Sequence, residues 1–294
     1  MTIKKTLQAL SAAALLCTSA VQANELVVGG KNFTEQLILT SMTNQYLMAK
    51  GFDVDMRSGM GTAVLRKAQE NGQVDLYWEY TGTALITFNK VMDRMSPEDG
   101  YQKVKELDAQ IGLVWLNPSK ANNTYALAMQ RSEAEAKGIK TLSDLSKAMN
   151  GGADLTLACN AEFAARADGL KPLQEEYGFE FKRDQLKRMD SGLTYLALKE
   201  GQVDVALVFA TDGRIPAFDF LTLEDDRNYF PDYALTPVIR ADTLSKNPTL
   251  EALLNDLSSR LDDKVMSGLN AKVDVDRETI EDVAEAFLKS QGLI

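Results

Sequence analysis

From Glu25 onward the chain alternates short apolar runs with stretches of helical spacing, and this alternation restricts the fold more than any other feature. Glu25 to Gly30 reads as a strand closed by two glycines. Phe33 to Lys50 carries Leu37, Ile38, Met42, Tyr46 and Leu47 at helical spacing, with Gly51 as its C-terminal cap. Phe52 to Met56 alternates as a strand, Thr62 to Asn71 reads as a helix, and GQVDLYWEY (Gly72 to Tyr80) is a strand again. The order β-α-β-α-β predicts an α/β sheet with crossover helices.

Two further strands, Ile111 to Leu116 and Tyr125 to Gln130, flank the turn-rich segment Asn117 to Asn123. A second β/α run follows, with helices at Leu142 to Met149, Ala161 to Arg166, Lys171 to Tyr177 and Leu193 to Glu200, and strands at Leu155 to Cys159 and Val203 to Phe209. The C-terminal part reads as mainly helical. Gly201-Gln202-Val203-Asp204 repeats Gly72-Gln73-Val74-Asp75, and an aromatic stands five residues after each Asp: Tyr80 in one half, Phe209 in the other. Such an echo also suits any helix-to-strand corner. Ligands in α/β sheets sit beyond the carboxyl ends of strands, so both rings are expected to face a crevice.

Composition narrows the chemistry. Lys4 and Lys5, the apolar run from Leu7 to Leu16, and Val21-Gln22-Ala23 form a secretory signal over residues 1–23, with Cys17 inside its apolar core. Cleavage there leaves Cys159 as the only cysteine of an exported chain without an internal disulfide. No other run approaches the roughly 20 apolar residues of a membrane helix, so no direct membrane insertion is expected. The formal charge of −10, made more acidic by loss of the two signal lysines, disfavours nucleic acid and anionic lipid. The absence of histidine excludes imidazole catalysis and, with one mature cysteine, makes zinc a poor fit. No cofactor motif for nucleotides is present. An enzyme would have to use paired carboxylates, such as Glu79 near Asp212, but no nucleophile signature accompanies them.

Several pieces in order resemble a known family: Gly30-Lys31-Asn32-Phe33-Thr34-Glu35-Gln36, Glu79-Tyr80-Thr81-Gly82-Thr83, Asn122-Asn123-Thr124-Tyr125-Ala126-Leu127, Phe163-Ala164-Ala165-Arg166-Ala167-Asp168-Gly169-Leu170, Ala210-Thr211-Asp212 and Phe230-Pro231-Asp232-Tyr233. Together they resemble the substrate-binding proteins of bacterial ABC importers for glycine betaine, choline and related quaternary amines. The resemblance implies a two-lobed α/β periplasmic binding protein fold of the type II kind, with ligand clamped between lobes joined by two crossover segments. The crossings are expected near Asn117–Thr124 and Thr211–Ile215. Lobe 1 would then be residues 24–122 plus 213–294, and lobe 2 would be 123–212.

By the family's motifs, Tyr80, Tyr125, Phe209 and Tyr233 form the ammonium box, with Phe209 standing where relatives commonly have Tyr. Lys31, Thr83 and Arg166 take the positions that hold a carboxylate. The resemblance implies a monomeric periplasmic, non-enzymatic binding component that delivers a quaternary amine to a permease and its ATPase. Choline, carnitine and proline betaine are alternative ligands, and a sensor module without transport is an alternative purpose. Each residue also has a plainer reading: Tyr80 and Phe209 as strand-end core, Thr83 as a helix starter, Lys31 as a loop charge, and Arg166 paired with Asp168 or Glu162. Trp78 and Tyr195 are assigned to packing.

Overall fold

Residues 25–294 are described by the structure, a computed structural model; the signal segment expected over 1–23 lies outside them. Two mixed five-stranded sheets organise the chain. The first holds β1 (Leu26–Lys31), β2 (Val54–Met60), β3 (Leu76–Tyr80), β4 (Leu113–Trp115) and, from far along the chain, β10 (Leu235–Arg240), in spatial order β2-β1-β3-β10-β4. The second holds β5 (Tyr125–Gln130), β6 (Leu157–Cys159), β7 (Leu186–Arg188), β8 (Val205–Phe209) and β9 (Phe220–Thr222), in order β7-β6-β8-β5-β9. Each sheet has three parallel strands, then an antiparallel one, β10 or β5, and an outer strand.

The repeated GQVD has a physical explanation. Gly72 and Gly201 both adopt left-handed backbone, at φ 75° and 65°, which turns the helix into the strand. The Asp three residues on then clasps the start of the neighbouring parallel strand. Asp75 accepts the Val27 N–H at 2.8 Å and its own N–H returns to the Val27 carbonyl. Asp204 does the same with Thr156. The echo therefore marks equivalent corners of the two sheets, and β3 and β8 end equivalently in Tyr80 and Phe209.

The chain passes from the first sheet to the second between β4 and β5. The return differs from the expectation at Thr211–Ile215. β9 pairs with β5 in the second sheet, at Ala128↔Thr222, Met129↔Leu221 and Gln130↔Phe220, so the return runs between β9 and β10. The segment starting at 213, assigned from sequence to lobe 1, thus gives the second sheet an edge strand. That strand is only three residues long, too short for a periodicity signal. β10 also escapes the sequence reading, because Pro237 sits inside a strand flanked on both sides. The two crossing segments run side by side and bridge antiparallel at Asn122 and Ala234.

The helix Thr34–Ala49 buries Ile38, Leu39, Met42 and Tyr46 in an apolar cluster shared with Val283, Phe287 and Leu288 of the C-terminal helix Ile280–Ser290. That cluster continues through Tyr80, Tyr125 and Tyr233 into Leu127, Leu157 and Leu207 of the second sheet. Trp78 is fully buried, its indole N–H given to Thr43 at 2.9 Å. Tyr195, also fully buried, accepts the Phe209 N–H at 2.8 Å and so anchors the end of β8 from behind.

Candidate functional site

Strand ends deliver the rings. Tyr80 closes β3, Phe209 closes β8, and Tyr125 opens β5 directly opposite Phe209 in the ladder. Tyr233 lies on the return crossing, two residues before β10. Tyr125 is the centre of the group, with ring centroids 5.4 Å from Phe209 and 5.5 Å from Tyr233. Tyr80 joins through another ring, Phe33, whose centroid is 6.3 Å away. All five rings line one cleft of about 610 Å³ between the sheets.

Lys31 and Thr83 line the same cleft. Lys31 ends β1, where its Nζ donates to Glu79 at 2.5 Å and lies 4.9 Å from the Tyr80 ring centroid. One contact leaves an ammonium with donors to spare. Arg166 stands behind the wall: it reaches the cleft by donating to Thr83 at 3.3 Å, and its guanidinium lies 5.4 Å from the Tyr125 ring centroid. Its planar fork, expected from sequence to take a ligand carboxylate, is given to Asp168. Asp168 also accepts the Tyr233 hydroxyl at 2.5 Å. Both buried cations thus carry an internal counter-charge, as buried charges require. Glu79 and Asp212, the carboxylates an enzyme would need, are committed to Lys31 and Arg214 respectively.

Glu35 was missed as a site residue although its motif was recognised. It is 3% exposed and lines the cleft floor. One oxygen accepts from the Tyr80 hydroxyl at 2.7 Å and the Asn123 amide at 2.8 Å. The other accepts from the Thr211 hydroxyl and the Asn270 amide. These donors come from the end of β3, the first crossing, the residues after β8, and the helix Asp263–Asp274. Burial pushes the Glu35 carboxyl above its ordinary value, with the four hydrogen bonds opposing that rise. Only the position of a lone acid at a helix start hinted at this role, and many surface acids occupy such positions.

The walls also touch. Thr62 donates to Glu162 across the cleft at 3.0 Å, and Arg94 meets Glu176 at 3.2 Å on the other face. Two lobes that clamp a small solute in an aromatic cleft define a ligand-capturing binding protein. Residues 24–290 match the family model for the substrate-binding domain of ABC-type glycine betaine transport systems, and the chain belongs to that family. It is 43% identical over 291 residues to a glycine-betaine-binding protein of Pseudomonas aeruginosa, covering 97% of this chain and 94% of that one. It is 34% identical over 279 residues to the glycine betaine-binding protein YehZ of Escherichia coli, covering 92% of each. The crystal structure of a glycine betaine/carnitine/choline ABC transporter protein, 26% identical, superposes with a TM-score of 0.75 over 92% of this chain and 99% of that one. The protein is therefore an extracytoplasmic substrate-binding component of an ABC importer.

Proposed function

We propose that the cleft captures glycine betaine or a closely related quaternary-ammonium zwitterion in the periplasm, and that the monomeric protein hands it to a membrane permease served by an ATPase. The row of rings carries this reading. A trimethylammonium group has a diffuse positive charge, an apolar surface and no N–H donor, so ring faces suit it better than water. Each face contributes roughly 0.5–2 kcal/mol. Several together approach the roughly −8 kcal/mol of a micromolar complex when a carboxylate contact is added.

Tyr80, Tyr125, Phe209 and Tyr233 are assigned to the ammonium, and Lys31 with Thr83 to the carboxylate. Arg166 is assigned to the same end through Thr83 and through its remaining N–H. Choline would leave the spare Lys31 donors unmatched, which favours a zwitterion. Calorimetric titration of Tyr125→Ala and Tyr125→Phe with glycine betaine tests the ring assignment. The alanine variant should bind at least about tenfold more weakly, and the phenylalanine variant, which keeps the π face, should stay near wild type. Equal binding by all three would remove Tyr125 from the site.

A further inference from the structure

Phe33 occupies a position that a helix gains nothing by giving to phenylalanine. It is the N-cap of Thr34–Ala49, in extended backbone at φ −132° and ψ 158°, and makes no side-chain cap hydrogen bond. N-caps favour Ser, Thr, Asp and Asn because their oxygens satisfy free N–H groups. The ring is instead thrust into the cleft, two residues beyond Lys31. There it stacks on Phe209 at 5.6 Å with an interplanar angle of 5°, and on Tyr80 at 6.3 Å and 25°. The rings therefore form an unbroken arc, Tyr80, Phe33, Phe209, Tyr125, Tyr233. Within it the step from Phe33 to Phe209 joins the end of the first sheet to the end of the second.

We propose that Phe33 is a specificity-determining residue: the fifth ring of the box, closing it against Phe209 and selecting a fully alkylated ammonium over one that retains an N–H. The inference rests on the quaternary-amine reading above. Phe33 and Phe209 together present apolar faces and edges with no hydroxyl, so an N–H directed at them finds only a weak acceptor, while a methyl group gains contact and cation–π attraction. Loss of the Phe33 ring opens the arc to water, which satisfies an N–H and dilutes the preference.

The test is titration of wild type, Phe33→Leu and Phe33→Tyr with glycine betaine and with N,N-dimethylglycine, alongside thermal unfolding of each. Phe33→Leu should melt near wild type, bind glycine betaine about tenfold more weakly, and show a ratio of the two affinities at least about threefold smaller. Phe33→Tyr, which keeps the ring face, should restore the affinity for glycine betaine, while its added hydroxyl accepts an N–H and keeps the ratio below that of wild type. Wild-type affinity of Phe33→Leu for glycine betaine, or a fall with an unchanged ratio, overturns the role of Phe33 while leaving the ligand class in place. A wild-type chain that binds neither compound overturns the ligand class and the inference with it.

Discussion

Asp168 holds the guanidinium of Arg166 at two points, Nε to one carboxylate oxygen at 2.7 Å and Nη2 to the other at 2.6 Å, with both side chains almost wholly buried. Arg166 therefore does two jobs at once: it balances a buried acid and supports Thr83 at the cleft. Separating those jobs is the first requirement of any mutational account.

Arg166→Ala should cost about 3–5 kcal/mol of unfolding free energy, because it leaves the Asp168 charge buried without its partner. Urea denaturation measures this. Ligand affinity should fall as well, and Arg166→Ala combined with Asp168→Asn should regain part of the stability without regaining the affinity. Equal losses in the single and double variants would contradict the pairing.

Glu35 is expected to make stability depend on pH. Its folded value lies above the ordinary 4.5 because of burial, so its favourable contribution is complete below that ordinary value. It is lost as pH rises through the higher folded value. Glu35→Gln cannot lose a proton there. Unfolding free energies across the acid-to-neutral range should show wild type weakening relative to Glu35→Gln as pH rises; parallel curves would contradict the assignment.

Gly82 packs under Tyr233. A Cβ there would stand 2.7 Å from the Asp232 carbonyl oxygen and 2.9 Å from two Tyr233 ring carbons. Gly82→Ala should cost about 1–3 kcal/mol through this overpacking and displace the ring, reducing affinity more than Gly100→Ala, whose nearest neighbour is a flexible Leu85 methyl at 3.3 Å. Calorimetry and thermal melts on the two variants distinguish the outcomes.

A buried ion pair away from the cleft supplies the contrast. Arg66 donates to both oxygens of Asp108 at 2.7 Å, and Trp115 donates to the same carboxylate. Asp108→Ala should cost about 3–5 kcal/mol yet leave ligand affinity in the folded fraction close to wild type. A selective loss of binding would show coupling between this cluster and the cleft.

The sequence revealed β1, β2 and β3 of the first sheet and β6 and β8 of the second, because apolar runs alternating with helices leave a clear pattern. It failed at β7, β9 and β10 for different reasons: β7 and β9 are three residues long, too short to show a period, and β10 contains Pro237. The ring-bearing strand ends were legible through GQVD, whose aspartates clasp Val27 and Thr156 in equivalent corners. Pairing was less legible. Nothing in the spacing of Lys31 and Glu79, 48 residues apart, announces their contact, while the two acids near Arg166 in sequence, Asp168 and Glu162, both meet it, with Asp168 taking the two-point contact. Phe33 and Glu35 lay in a recognised motif, but their roles depend on the second sheet meeting the first.

The central claim is that one cleft reads both ends of a betaine. Isothermal titration of refolded, ligand-stripped protein with glycine betaine, choline and proline tests it most directly. Saturable binding of glycine betaine, with choline weaker for want of a carboxylate and proline weaker for want of a quaternary ammonium, is the expected result. No saturable binding of glycine betaine at millimolar concentration, or choline bound as tightly as glycine betaine, would contradict it.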